Sequence, residues 1–351
     1  MVFDHVPPHA PHPQPHTAGT TERTGIALVN LGTPDDTSYG AVRRYLSEFL
    51  SDRRVIEASP LFWQPILQGV VLSTRPAASG KAYRRIWNRT HDESPLRTIT
   101  RQQAEALAER MAPSGVAVAW GMRYGSPSLE EAIRSLLQQG CSRILCMPLY
   151  PQYSATTTAT ANDHAFRTLM RLRNQPALRT LPPFPDDPAF IAALADSVRA
   201  AQAQAEQPFQ KIVASFHGLP QAYVQKGDHY PADCQRTVQA LREALGMDET
   251  TLALTYQSRF GPAKWLEPYT APFIEALPAQ GITRIAVITP GFMADCLETL
   301  DEIGNEVREG FEHAGGESFT LIPCLNNSPG GIDLLETLAR RELAGWLPEP
   351  G

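Results

Sequence analysis

Short apolar and β-branched runs alternate with helical patterns along most of the chain, and turn-forming residues follow them. The runs lie at 26–29, 115–120, 143–150, 211–216 and 284–289. Strands that alternate with helices in this way are typical of parallel sheets. The pattern predicts an α/β fold whose functional loops lie at the carboxyl ends of the strands.

Three pairs of segments recur in the same order in the two halves of the chain. The first half contains IALVNLGTP, MRYGSPSLEE and SRILCMPLYP, and the second contains IVASFHGLP, SRFGPAKWLEP and TRIAVITPGF. This repeat predicts two similar Rossmann-like lobes, each a parallel sheet flanked by helices, with a cleft between them. The equivalent strand-end loops differ, with Asn30-Leu31 in one half and Phe216-His217 in the other. We interpret that divergence as the mark of a specialised cleft.

The chain divides into four predicted parts. Residues 1–23 form a Pro- and His-rich tail with few apolar groups, so we expect it to be disordered. The N-terminal lobe is expected at 24–182 and the C-terminal lobe at 183–319, with a proline-rich crossover at 174–188. A strand and helix at 320–351 are expected to pack back on the N-terminal lobe.

A row of acids follows the last long strand, in the stretch PGFMADCLETLDEIGNE at 290–306. On an α-helical period, one face would carry Leu300, Ile303, Val307 and Phe311. The opposite face would carry Asp295, Glu298, Glu302 and Glu306. Two interpretations stay open. Asp295 and Glu298 form a capping box and the other acids are solvated, or the row guides a hard dication or protons into a site.

The segment LFWQPILQGVVL, Leu61 to Leu72, is apolar and is interrupted by Pro65 and Gly69. It is either a buried helix or an exposed apolar lip at the mouth of the cleft. A basic segment follows it, with Arg75, Lys81, Arg84 and Arg85. Those cations would suit an anionic substrate group, although a solvated helix face would look the same.

Composition narrows the class of protein. The chain has 351 residues, of which 42% are hydrophobic and 19% charged, with a net charge of −6, so a nucleic-acid partner is not expected. No apolar run reaches the roughly 20 residues that span a bilayer, and no signal peptide is evident, so we expect a cytoplasmic location. The five cysteines form no C-x-x-C pair, which indicates reduced thiols.

Three long motifs closely resemble the ferrochelatases: SFHGLP at 215–220, YQSRFGPAKWLEPYT at 256–270 and ADCLETLDEI at 294–303. VNLGTPDD, YRRIW followed by ESPL, and PLYPQYSATTT extend the resemblance over residues 24–345. It is most similar to the protoporphyrin type of Gram-negative bacteria. The resemblance implies the chelatase fold and the insertion of ferrous iron into protoporphyrin IX to form protoheme, the last step of heme synthesis. Iron is then a substrate, and no prosthetic group is implied.

The resemblance also implies roles for single residues. His217, which would otherwise be interpreted as structural, matches a metal contact and proton acceptor. Glu298 matches the glutamate that faces it across the macrocycle, and Glu302 and Glu306 match a path for metal or protons. The implied porphyrin-binding positions are Leu31, Arg123, Tyr124, Trp265, Phe292 and Asp295. A neutral imidazole accepts protons near neutral pH, and carboxylates bind Fe²⁺ without the grip of thiolates.

Two departures from the family pattern matter. Many relatives carry His where this chain has Cys296. Some relatives bind an iron–sulfur cluster through a cysteine at the position of Ala155 and a cysteine cluster near the C-terminus, where this chain offers Cys324. We therefore expect no cluster.

The expected partners are protoporphyrin IX and ferrous iron, with peripheral contact to the inner membrane through the apolar lip. Two alternatives stay open. One is a related chelatase for coproporphyrin or for sirohydrochlorin and cobalt, and the other is a non-catalytic heme or metal carrier. A carrier would keep the pocket but gains nothing from a histidine and an acidic row on opposite sides of the ring.

Overall fold

The computed structural model describes residues 23–347, whose strands form two four-stranded parallel sheets. The first sheet contains β1 (Arg23–Gly32), β2 (Ala117–Tyr124), β3 (Cys141–Pro148) and β4 (Ala177–Thr180). The second contains β5 (Lys211–His217), β6 (Leu252–Gln257), β7 (Arg284–Ile288) and β8 (Ser318–Leu321). The strand orders β2-β1-β3-β4 and β6-β5-β7-β8 are equivalent, which confirms the two similar lobes. Apart from Arg23, the predicted disordered tail lies outside the described residues.

Helices flank both sheets. Their bounds are α1 (Tyr39–Ser51), α2 (Pro60–Ile66), α3 (Leu72–Ile86), α4 (Pro95–Met111), α5 (Leu129–Gln138), α6 (Thr160–Met170), α7 (Pro188–Gln204), α8 (Gln221–Gln225), α9 (Tyr230–Leu245), α10 (Thr270–Glu275), α11 (Arg308–His313) and α12 (Pro329–Glu342). Three segments are π-helical: Leu67–Val71, Ala155–Ala159 and Glu298–Val307. Serine side chains cap several N-termini; the hydroxyl of Ser38 accepts from Ala41 N at 3.2 Å, as expected for a residue that satisfies a free amide.

The core lies between the two lobes and on their outer faces. Along β1, Ile26 and Leu28 point into a core shared with α4 and with residues of the second sheet such as Phe216. Ala27 and Val29 alternate to the opposite face and pack under α5 and α6. Strands buried on both faces are typical of parallel sheets, and their packing fixes where the carboxyl ends of the strands lie.

The carboxyl-terminal part of the chain joins the lobes differently from the predicted division. Strand β8 begins at Ser318 and pairs with β7, so the predicted boundary at 319/320 falls inside a strand of the second sheet. Helix α12 packs against α4 and α7. The predicted crossover at 174–188 includes the strand β4, which pairs with β3.

The apolar lip, Leu61–Leu72, is helical throughout. The predicted interruptions were wrong, because Pro65 lies inside α2 and Gly69 lies inside the π-helical segment that joins α2 to α3. A proline costs one helical hydrogen bond, and the wider π-helical turn lets the helix continue.

The surface of this segment confirms that it is exposed rather than a buried helix, while its position at the mouth of the cleft stays a prediction. Its exposed apolar side chains are Leu61 (85%), Phe62 (77%), Val70 (62%) and Ile66 (48%). Leu67 and Leu72 are fully buried and anchor the segment on α1.

Candidate active site

His217 is the last residue of β5 in the second sheet. Its register partner is Gln257, the last residue of β6. The His217 ring is exposed, and its Nδ1 lies 2.7 Å from the carbonyl oxygen of Gly218. Because a carbonyl oxygen only accepts, Nδ1 carries a proton in this arrangement, and in the neutral ring Nε2 is then the nitrogen with the free lone pair. The loop therefore presents a basic nitrogen that is free to take a proton or contact a metal.

Gly218 lets the wall of the site close beside this histidine. Its N–H donates to Gln257 O at 2.7 Å, and a Cβ at this position would lie 2.7 Å from the same oxygen and 3.0 Å from the Trp265 ring. Any side chain would push the two strand-end loops apart. The indole nitrogen of Trp265 is buried and finds no hydrogen-bond partner among the described residues.

The acidic row begins beside this loop. Glu302 accepts hydrogen bonds from Ser258 N at 2.6 Å, from Ser258 Oγ at 2.5 Å and from Gln257 Nε2 at 3.2 Å. The same Gln257 amide group donates to the Glu298 carbonyl at 2.8 Å. Gln257 therefore links the strand end that carries His217 to the helix that carries the acids.

The charges of His217 and Glu298 both act on the pKa of Glu302. Burial raises the pKa of Glu302 above its ordinary value, and the nearby charge of Glu298 raises it further. The hydrogen bonds from Ser258 and the neighbouring His217 oppose that rise in pKa. Glu302 thus holds a proton more readily than an exposed glutamate does, which suits a residue that passes protons.

The helix that carries the row is π-helical from Glu298 to Val307, so the predicted α-helical period was wrong over these residues. Ile303 and Val307 still pack into the core, as predicted. Five positions correspond to about 140° of rotation in an α-helix, whereas i→i+5 bonding brings such residues together. As a result Asp301 and Glu306 both reach Arg85 of α3, at 2.5 and 3.0 Å.

The capping-box interpretation of Asp295 was also wrong. The N-cap residue of the π-helix is Leu297, and no side chain caps it. The buried Asp295 carboxylate instead accepts from Thr299 Oγ1 at 2.9 Å and from Asn326 Nδ2 at 2.6 Å. These bonds tie the loop after β7 to the loop before α12, which gives Asp295 a supporting position beneath the cleft surface.

The predicted porphyrin positions fall into two groups. Leu31, Trp265 and Phe292 are partly exposed. Arg123, Asp295 and Tyr124 are buried, at 7%, 5% and 0% exposure, so in this structure they lie behind the surface that a ligand would touch.

Arg123 and Tyr124 both bind Asp52 from the end of α1. The Asp52 carboxylate accepts from Arg123 Nη2 at 2.5 Å, from Tyr124 OH at 2.8 Å and from Thr160 Oγ1 at 2.5 Å. Burial opposes the charged form of Asp52, yet these hydrogen bonds and the Arg123 charge leave the pKa of Asp52 lowered. Asp52, Arg123, Tyr124 and Thr160 therefore form one hydrogen-bonded network beside the end of β2.

Several residues of the site were missed at the sequence level: Gln257, Ser258, Asp301, Asp52 and the role of Arg85. Gln257 and Ser258 stand directly after a strand, which is the position where functional loops are expected. Asp301 gave no signal, because on an α-helical period it falls outside the acidic row.

Within residues 23–347, no three His, Cys, Asp or Glu side chains come close enough to form a metal-binding group. No helix in that range is both long and apolar enough to cross a membrane.

The family model described as ferrochelatase matches residues 23–343. The chain belongs to the ferrochelatase family. A ferrochelatase of Gluconobacter oxydans is 64% identical over 336 residues, which cover 95% of this chain and 98% of the relative. Ferrochelatases of Agrobacterium fabrum and Brucella ovis are each 54% identical over 95% of this chain, covering 98% and 95% of the relative.

Solved structures support the fold of this ferrochelatase. SirB of Bacillus subtilis with Fe³⁺ superposes with a TM-score of 0.53 at 12% identity, covering 92% of this chain and 97% of SirB. The sirohydrochlorin chelatase SirB of B. subtilis subspecies spizizenii, in complex with cobalt, gives a TM-score of 0.52 at 11% identity, covering 92% of this chain and 96% of SirB. At these identities the likeness establishes the two-lobed chelatase fold.

Proposed function

We propose that this ferrochelatase inserts ferrous iron into protoporphyrin IX between His217 and Glu298, forming protoheme in the terminal step of heme synthesis. The observation that supports this assignment of residues is that the exposed His217, at the end of β5, and Glu298 both lie close enough to the buried Glu302 to change its pKa. Each product molecule needs two pyrrole protons removed and one dication delivered. A base and a row of carboxylates in one environment match both needs.

His217 takes a pyrrole proton at Nε2. Its Nδ1–H is held by the Gly218 carbonyl, which fixes the tautomer and the ring orientation. In a flat macrocycle the two pyrrole protons block the centre and the nitrogen lone pairs point in the ring plane, so the ring must be distorted to aim lone pairs at the incoming dication. A cleft that grips the distorted ring stabilises the transition state more than the ground state.

The grip comes from the partly exposed side chains Leu31, Trp265 and Phe292. Arg123, Tyr124 and Asp295 support these walls from behind through their buried hydrogen bonds. Arg75 of α3 lies over the Phe260 ring, 4.3 Å from its centroid, where its cation can meet an anionic substituent of the ring.

Glu302 and Glu306 carry metal or protons along the π-helix towards Glu298. Each carboxylate adds attraction for a dication in a poorly screened cleft. The raised pKa of Glu302 lets it alternate between holding a proton and holding charge as metal passes.

The apolar lip makes peripheral contact with the inner membrane, where an apolar substrate is concentrated. The exposed Leu61, Phe62, Ile66 and Val70 supply the buried area for such contact. Binding of Leu61→Ser/Phe62→Ser to phospholipid vesicles should fall below that of the unsubstituted protein, with Gln68→Ser as the matched control. Equal binding of the double variant and the control would contradict this contact.

We further propose that the chain holds no iron–sulfur cluster, because Ala155 stands where some relatives place a ligand. Ala155 N–H donates instead to Asp228 Oδ2 at 2.8 Å. Visible absorbance and acid-labile sulfide in anaerobically purified protein would contradict the proposal.

The function is tested by mixing the protein with protoporphyrin and Zn²⁺ and following zinc-porphyrin fluorescence. A carrier binds porphyrin without forming the metallated product, whereas the proposed enzyme turns over many times. Glu302→Gln and Glu306→Gln should keep porphyrin affinity, measured by fluorescence quenching, but slow turnover and raise the metal concentration needed. Unchanged turnover in both variants would show that these two acids are solvated residues with no role in the path.

A further inference from the structure

Arg85 of α3, in the first lobe, forms ion pairs with two carboxylates of the π-helical segment Glu298–Val307 in the second lobe. It lies in the last turn of α3. Its Nε donates to Asp301 Oδ1 at 2.6 Å, and its Nη2 donates to Asp301 Oδ2 at 2.5 Å and to Glu306 Oε1 at 3.0 Å. One guanidinium therefore holds two carboxylates of the helix that carries the acidic row.

The two carboxylates hold Arg85 with different strength. The Asp301 side chain is 4% exposed and also accepts from Asn305 Nδ2 at 3.0 Å, whereas the Glu306 side chain is 62% exposed. A buried carboxylate needs a partner because its desolvation is costly, while an exposed ion pair contributes little. Asp301 is thus the anchor of the guanidinium, and Glu306 is its exchangeable partner.

The π-helical geometry makes this arrangement specific. Asp301 and Glu306 are five residues apart. The wider i→i+5 turn brings their side chains closer to one face of the helix than an α-helix would. A chance surface pair would need neither the wider turn nor the buried anchor.

We propose that Arg85 is a positioning residue that serves as the internal counter-ion of Glu306, the outer carboxylate of the row. This inference rests on the proposed function of the row as a metal path. A divalent cation that reaches Glu306 displaces a single guanidinium hydrogen bond, while Asp301 keeps Arg85 in place. The cation is then bound weakly enough to move inward, as a conducting site requires. The metal leaves Glu306 for Glu302, and Nη2 returns to Glu306.

The test compares variants that change the counter-ion in opposite directions. Arg85→Met/Asp301→Asn removes both charges and leaves no buried unpaired carboxylate, so Glu306 is freed. Its KM for Zn²⁺ should fall by about two- to fivefold, with no rise in kcat. Asp301→Asn alone removes the anchoring carboxylate, so the charge of Arg85 is neutralised by Glu306 instead. The KM of this variant for Zn²⁺ should rise by a similar factor. Arg85→Lys, which keeps the charge, should leave KM for Zn²⁺ near the unsubstituted value.

A purely structural role would give a different pattern. Every variant would then show a lower melting temperature, with KM for Zn²⁺ unchanged or raised in the double variant, and this result would overturn the counter-ion proposal. Glu306→Gln in the same assay separates the two claims. If it leaves KM for Zn²⁺ unchanged, the metal path itself is wrong. If it raises KM while the double variant does not lower it, the path stands and the role of Arg85 fails.

Discussion

The third strand of each lobe leads into a π-helical segment, and these two segments carry different chemistry. In the first lobe, Ala155–Ala159 is a short segment without a charged residue. In the second lobe, Glu298–Val307 is ten residues long and carries Glu298, Asp301, Glu302 and Glu306. The duplicated fold supplies a π-helical segment in both places, and of these two segments the second carries the carboxylates that the proposed path needs.

The strand ends differ in the same way. In the first lobe, the largely buried Asp52 carboxylate is paired with the largely buried Arg123 guanidinium. In the second lobe His217 is exposed, and Glu302 is held partly desolvated. Buried polar networks rigidify a structure, whereas perturbed and accessible groups do chemistry. From this comparison we expect the strand ends of the first lobe to support the site and those of the second lobe to carry the reacting groups.

The largest effect should come from the second lobe. His217→Ala and Glu298→Gln each remove a group at the ring centre, so turnover should fall by about 10²- to 10⁴-fold while porphyrin still binds. Leu31→Ala changes the equivalent loop of the first lobe and is the matched control. It should weaken porphyrin affinity, measured by fluorescence quenching, with a smaller loss of turnover at saturating porphyrin. A loss of turnover in Leu31→Ala equal to that of His217→Ala would remove the distinction.

The next effect should be on the stability of the first lobe. Asp52→Asn leaves the Arg123 charge buried without its counter-charge, and the free energy of unfolding should fall by about 3–5 kcal/mol. Urea denaturation measures the change, and Asp52→Asn/Arg123→Met should recover part of it. Turnover per folded molecule should stay near the unsubstituted value. A large fall in turnover per folded molecule would show that this network of the first lobe takes part in the reaction.

A smaller effect tests the packing that seats the π-helix. A Cβ on Gly304 would lie 3.1 Å from Leu321 Cδ2 of β8, tighter than ordinary van der Waals contact. Overpacking against Leu321 should outweigh the roughly 1 kcal/mol that alanine gains in helix propensity, so Gly304→Ala should lower the free energy of unfolding by up to about 2 kcal/mol. Leu321→Ala/Gly304→Ala frees the space, so the second substitution should cost less in that background. Additive losses in thermal unfolding would show that this contact does not seat the helix.

The smallest effect is a change in pH dependence. The folded pKa of Glu302 is raised, so the folded state binds this proton more tightly than the unfolded chain. The stabilisation by that proton is present below the ordinary carboxyl pKa and is lost as pH rises through the folded value. Glu302→Gln should flatten the fall in melting temperature over that window, while Glu306→Gln should keep it. Equal slopes in all three proteins would contradict the assigned pKa shift.

The sequence predicted the lobes, the cleft and the placement of His217 at a strand end, because repeated strand and turn signals are local. It did not predict the π-helix, since four-residue spacing of acids fits an α-helix nearly as well. The partners of Asp301 and Asp52 also escaped it. Arg85 is 216 residues from Asp301, and Arg123 is 71 residues from Asp52. Pairings of that separation depend on the tertiary fold, and no local pattern encodes them.

The central claim is that the macrocycle sits between His217 and Glu298, with the second lobe doing the chemistry. A crystal structure of the protein with an N-alkylated porphyrin, which resists metallation, tests it most directly. We expect His217 Nε2 within about 3 Å of a pyrrole nitrogen, Glu298 on the opposite side of the ring, and Leu31, Trp265 and Phe292 against its faces or edges. A ring bound away from His217, or with His217 and Glu298 on the same side, would contradict the account.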